Sequence, residues 1–197
     1  MGHEARAGAA AAGKVGLVLV DAINPMDFAG AAALAGPAVA AAGAMRQLRD
    51  QADALGVPVV YVNDNYGHWG AERSEIVAAC AEASAAGKAL VAALAPRGTD
   101  YFVIKPQFSG FYATNLPVLL PRLGVGRLVL AGLAADICVL FTAADAHMRE
   151  YALWVPQDAV ASEAPERRDW ALEIMRQSMG AETRPTAQLC LAQWAQT

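Results

Sequence analysis

Charge is scarce in this chain, and none of it is in basic excess. Of 197 residues 17% are charged, with 15 Lys and Arg against 19 Asp and Glu, for a net charge of −4. Nucleic acids are held by basic patches, so they are excluded as the main partner. Cysteine is scarcer still: Cys80, Cys138 and Cys190, far apart and without a CxxC pair. That usage excludes a disulfide framework and a cysteine zinc site, and it matches a reducing compartment. No apolar run is long enough to span a bilayer, so no membrane partner is expected. No GxGxxG or Walker pattern follows a strand, so no nucleotide cofactor is signalled. Residues 1–13 carry Glu4 and lack the Leu/Val-rich stretch of a signal peptide. They read as a loose tail before a single domain over 14–197, and the expected location is the cytoplasm.

What the chain has is apolar residues, 56% of the total, enough for one substantial core. Short apolar runs alternate with longer helical patterns. Strands are predicted at Val15–Val20, Val57–Val62, Tyr101–Lys105, Leu128–Ala131 and Ala152–Val155, with a last one over Thr183–Ala187. Helices are predicted over Pro37–Leu55, Ala71–Ala86, Lys88–Leu94, Asn115–Leu123, Ile137–Glu150 and Pro165–Met179, and Cys190 falls in a terminal helix. Strands apolar on both faces, alternating with helices, predict an α/β protein. The expected architecture is three-layer α/β/α, with a central, mostly parallel sheet of about five or six strands. Cys80 reads as a core cysteine, and Cys190 as a packing residue.

In open α/β sheets, ligands bind beyond the carboxyl ends of the strands. Strand one ends in Asp21, strand two in Asn63 and Asp64, and strand three in Lys105. Strand four leads through Gly132 to Cys138. The cysteine stands at a helix start, where the dipole is expected to favour a thiolate. Each residue also has a plain structural reading: a buried cysteine that fills space, or the first solvated charge after a strand. Together they supply a thiol, a carboxylate to take its proton and a cation to orient that carboxylate, which is what nucleophilic catalysis needs.

The same three segments resemble the isochorismatase-like cysteine hydrolases, a superfamily that includes nicotinamidases and N-carbamoylsarcosine amidases. The resemblance runs from Gly16 to about Met179. It rests on Asp21, Asn24 and Phe28, then on Lys105, Ser109, Gly110, Phe111 and Thr114. The third group is Gly132, Ala134, Asp136, Cys138, Val139, Thr142, Asp145 and Ala146. The resemblance implies Cys138 as nucleophile, Asp21 as general base and Lys105 as the cation that stabilises both. It also implies a cis peptide at Leu133–Ala134, with the Ala134 and Cys138 N–H groups forming an oxyanion hole.

Nicotinamidases of that superfamily carry a metal held by one Asp and two or more His after the second strand. This chain offers Asp64 and His68 there, with His147 on another helix, so neither a metal nor any other cofactor is expected. The expected pocket residues are Met26, Phe28, Asn63, Trp69, Phe111 and Tyr112, which fit a compact, planar amide. The expected substrate is a small amide or ureido compound, and the expected assembly a homo-oligomer, a dimer or a tetramer. Two other readings stand beside amide hydrolysis. One is a hydrolase or isomerase of small acids on the same scaffold without covalent cysteine chemistry. The other is a binding or assembly module that does no chemistry.

Overall fold

The computed structural model describes residues 13–196, so the tail assigned to 1–13 lies, except for Gly13, outside the described residues. The strands are β1 (Lys14–Val20), β2 (Val59–Asp64), β3 (Tyr101–Lys105), β4 (Val125–Leu133), β5 (Ala152–Trp154) and β6 (Val160–Ala161). The helices are α1 (Ala31–Leu55), α2 (Arg73–Ala83), α3 (Ala85–Leu94), α4 (Leu116–Arg122), α5 (Leu140–Met148), α6 (Pro165–Met179) and α7 (Leu191–Trp194). A π-helical turn, Ala135–Val139, precedes α5. The sheet order is β3-β2-β1-β4-β5, with β6 also paired to β4, and every pairing between these strands is parallel.

Alternation along the strands divides the core in two. Leu17 and Leu19 of β1, Val59 and Tyr61 of β2, and Val129 and Ala131 of β4 pack with Met45 and Leu48 of α1, Ile76 of α2 and Leu90 of α3. Val18, Val20, Val60, Val62, Leu128 and Leu130 pack on the other face, with Leu120 of α4, Val139, Ala143 of α5 and Met175 of α6. The result is the expected three-layer α/β/α arrangement.

Several boundaries differ from the sequence reading. Helix α1 begins at Ala31, six residues early, after Gly30 in a left-handed conformation, and it runs through Pro37. A proline inside a helix costs one backbone hydrogen bond. Here an apolar seam of Leu34, Ala38, Met45, Leu48 and Ala52 buries the helix on both sides of that gap. The break between α2 and α3 comes at Ser84, whose hydroxyl caps Gly87 N–H and donates to the Pro25 carbonyl. Strand β2 lies two residues later than predicted. The strand expected at Thr183–Ala187 is instead one isolated bridge, Trp154 to Glu182, and β6 is a pairing the sequence reading missed.

Candidate active site

The strand order reverses between β1 and β4, which is where doubly wound sheets open a crevice. Asp21 follows β1 in a left-handed conformation, φ 45°, a region Asp tolerates better than most residues. Its N–H donates to the Val62 carbonyl, and its Oδ1 accepts the Asp64 N–H at 2.8 Å. Beside it β4 passes through Gly132, φ 130°. A Cβ there would overlap the Val20 carbonyl oxygen, so only glycine lets the two strands meet at this point. The Leu133–Ala134 peptide is cis, and the π turn bearing Cys138 follows at once.

Lys105 comes from β3, two strands from Asp21. Strand spacing is about 4.8 Å, so only a long side chain could cross β2, and Lys105 does so almost fully buried. Its Nζ lies 2.8 Å from Asp21 Oδ2, 3.5 Å from Cys138 Sγ, 3.2 Å from the Gln107 carbonyl and 3.8 Å from Asp64 Oδ2. The Cys138 thiol and the Asp21 carboxylate also lie close enough to influence each other. Buried Asp21 and Lys105 therefore meet the partly buried Cys138 in one cluster.

The electrostatics correct one expectation. Burial, then the Asp21 charge, push the Cys138 thiol up to about 12, against the pull of Lys105. The helix-start argument for a standing thiolate left out desolvation, which is the largest influence on this thiol. Burial also raises the Asp21 carboxyl, with Lys105 opposing. For Lys105, burial works against the charged form, but the neighbouring Asp21 and Cys138 leave its ammonium above the ordinary value. Burial thus favours the neutral Cys138 thiol, while Lys105 favours the ionised Asp21 carboxylate against the burial that opposes it.

Other proteins share this chain's design. The Isochorismatase domain family matches residues 15–188. The uncharacterized isochorismatase family protein YaaI of Bacillus subtilis is 37% identical over 173 residues, 88% of this chain and 94% of that protein. The chain belongs to the isochorismatase family. The N-carbamoylsarcosine amidase structure from Thermoplasma acidophilum is similar with a TM-score of 0.67 and 31% identity, over 89% of this chain and 98% of that one. The nicotinamidase PncA structure from Bacillus subtilis has a TM-score of 0.68 and 27% identity, over 87% and 99%. By name, the two solved structures are an amidase and a nicotinamidase.

The expected pocket residues divide by burial. Phe28, Trp69 and Tyr112 are exposed, whereas Met26, Asn63 and Phe111 are buried. Asn63 spends its amide on the Ile23 carbonyl and the Tyr66 hydroxyl, and Phe111 packs against Tyr151 under Arg149. Of the exposed three, Trp69 lines a cavity of about 370 Å³ with His68, Ile76 and Ala79. Apolar side chains next to strand ends were drawn into the core, which their residue type alone does not reveal.

The metal known from nicotinamidases does not fit this chain's residues. Among the described residues no group of three or more His, Cys, Asp or Glu is arranged to hold a metal ion. Asp64 is committed elsewhere: Oδ1 accepts the Tyr66 N–H and Oδ2 faces Lys105. The sequence reading missed Asp64 as a neighbour of the lysine. The signal was available, because parallel register sets Asp64 opposite Lys105. It also missed what Asp136 does. That carboxylate takes the Ser162 hydroxyl at 2.5 Å and the Arg167 guanidinium at 2.5 Å, tying the π turn to β6 and α6.

Proposed function

We propose that this chain is a cysteine amidohydrolase that cleaves a C–N bond of a small amide or ureido compound through a thioester on Cys138. The supporting observation is the meeting of the Cys138 thiol with the buried Asp21 and Lys105 side chains at the sheet's switch point. Because the thiol rests protonated, its proton passes to Asp21 as sulfur attacks the carbonyl carbon. Lys105 keeps Asp21 ionised until then and stays beside the sulfur as it gains charge. The carbonyl oxygen turns toward the Ala134 and Cys138 N–H groups. Asp21 then gives the proton to the leaving nitrogen, the C–N bond breaks, and ammonia or an amine departs. A water molecule loses a proton to Asp21 and attacks the thioester. The acid leaves, and the proton returns to sulfur.

The test is ammonia release from a panel of small primary amides and ureido acids, with N-carbamoylsarcosine and nicotinamide among them. It is combined with mass spectrometry of protein quenched during turnover. An acyl adduct on the Cys138 peptide is expected. Turnover with no adduct at Cys138, and undiminished in Cys138→Ala, would overturn the reading in favour of hydrolysis without covalent cysteine chemistry.

A further inference from the structure

The family's motifs contain polar residues that the reaction above leaves unused, and three of them, Thr142, Ser109 and Asp145, form one junction. Thr142, on the first turn of α5, is fully buried. Its hydroxyl donates to the Cys138 carbonyl at 2.7 Å and accepts the Gly110 N–H at 2.9 Å. Gly110 lies in the loop that leaves β3 directly after Lys105. One hydroxyl therefore bridges the backbone of the cysteine turn and the backbone of the lysine loop. Ser109 adds a parallel link: its hydroxyl donates to Asp145 Oδ2 at 2.5 Å and accepts the Phe111 N–H. A Cβ at Gly110 would crowd Val62 Cγ1 at 2.7 Å, so the loop sits hard against β2 as well.

We infer that Thr142 is a positioning residue whose hydroxyl, by clamping the Gly110 loop to the Cys138 turn, keeps the Lys105 ammonium against the Cys138 sulfur. The turn has a separate anchor, because Asp136 ties it to Ser162 and Arg167. The loop's hydrogen-bonded ties to α5 run through Thr142 and Ser109, beside the ring contact of Phe108 with Phe141. The loop also supplies the Gln107 carbonyl that holds Lys105 Nζ from the far side. When the clamp opens, the lysine loop shifts while the thiol stays beside Asp21. Sulfur then loses the one group that favours its ionised form and keeps the one that opposes it.

The inference rests on the proposed role of Cys138, but its test needs no substrate. The rate of alkylation by iodoacetamide is read at Cys138 by peptide mass spectrometry, at pH 9.5. In Thr142→Val, which keeps the shape and loses the hydroxyl, alkylation should slow at least about fivefold, because the thiolate fraction falls. Thr142→Ser, which keeps the hydroxyl, should stay within about twofold of the parent protein. Loosened packing alone would act the other way, exposing the thiol and speeding its reaction. Should Thr142→Val not fold, Ser109→Ala serves in its place, with slowing in the same direction. Alkylation of Thr142→Val at the parent rate or faster, or equal slowing in Thr142→Ser, would overturn the inference. So would an unslowed Ser109→Ala where it stands in. Loss of hydrolysis in Cys138→Ala is scored separately, so failure of the catalytic reading and failure of the clamp are distinguishable.

Discussion

Replacing Lys105 with Met would keep the length and volume of the side chain and remove only the ammonium. In the parent protein that ammonium sits 2.8 Å from Asp21 Oδ2, with both side chains nearly inaccessible. Removing one member of a buried ion pair costs about 3–5 kcal/mol while the other stays charged. Asp21 has an escape, because it can take up a proton. Its pKa is already raised by burial against the opposing effect of Lys105, and without the lysine it moves further up. In the unfolded chain Asp21 is ionised above about pH 5, so the folded variant holds a proton that the unfolded variant lacks. Its stability then falls as pH rises, by up to about 1.4 kcal/mol per pH unit, until the carboxyl deprotonates. The parent is free of this slope to the extent that Lys105 holds Asp21 ionised. Lys105 itself, with its pKa raised, stabilises fully below its unfolded value and does not bend this range. The stability gap between parent and variant should be about 1 kcal/mol at pH 5 and widen to about 3–5 kcal/mol at pH 8. Urea unfolding at pH 5, 6, 7 and 8 measures it. A gap that is flat with pH, or that narrows toward pH 8, would refute a buried Asp21–Lys105 pair of this kind.

Three further outcomes follow from the same geometry. Cys138→Ser should lower amide hydrolysis at least about a thousandfold while circular dichroism and the unfolding midpoint stay near the parent's. At pH 7.5 the native Cys138 should react with iodoacetamide about a hundredfold or more slowly than a peptide thiol of pKa about 8.5, since its own is pushed up to about 12; a faster rate would mean a standing thiolate. Gly132→Ala should lose about 4 kcal/mol or more, because φ 130° is closed to alanine and its Cβ would overlap the Val20 carbonyl. Its unfolding midpoint, or its recovery only in the insoluble fraction, checks that.

Much of the site was legible because parallel sheets collect strand ends on one rim. Asp21 and Lys105 were found by asking what ends each apolar run, and Cys138 by the small-residue turn that follows β4. The doubly apolar strands and the Pro165–Met179 helix were legible from composition and period. What stayed hidden depends on tertiary context. Nothing local marks Pro37 as internal to a helix, since the apolar seam of α1 that compensates it counts only once it is buried against β1 and β4. Burial of Met26 and Phe111 turns on which side of a loop faces the core, and that of Asn63 on what covers the end of β2. The protonated thiol is likewise a property of the assembled cluster, because the desolvation that produces it appears only once three strands and the π turn have closed around the sulfur. The two-residue pairing of β6 with β4 leaves no periodic trace at all.

Strand β1 lies at the centre of the finished sheet, yet it is synthesised before every other described strand. One neighbour, β2, follows soon after, but the other, β4, begins only at Val125. While the intervening chain is being made, β1 offers an unpaired edge whose residues Val15 to Val20 are destined for complete burial. Such an edge is a template for pairing with other chains. The nascent protein is therefore most exposed to misassembly before Val125 emerges, and the closure that removes this hazard is the same one that brings Cys138 to Asp21.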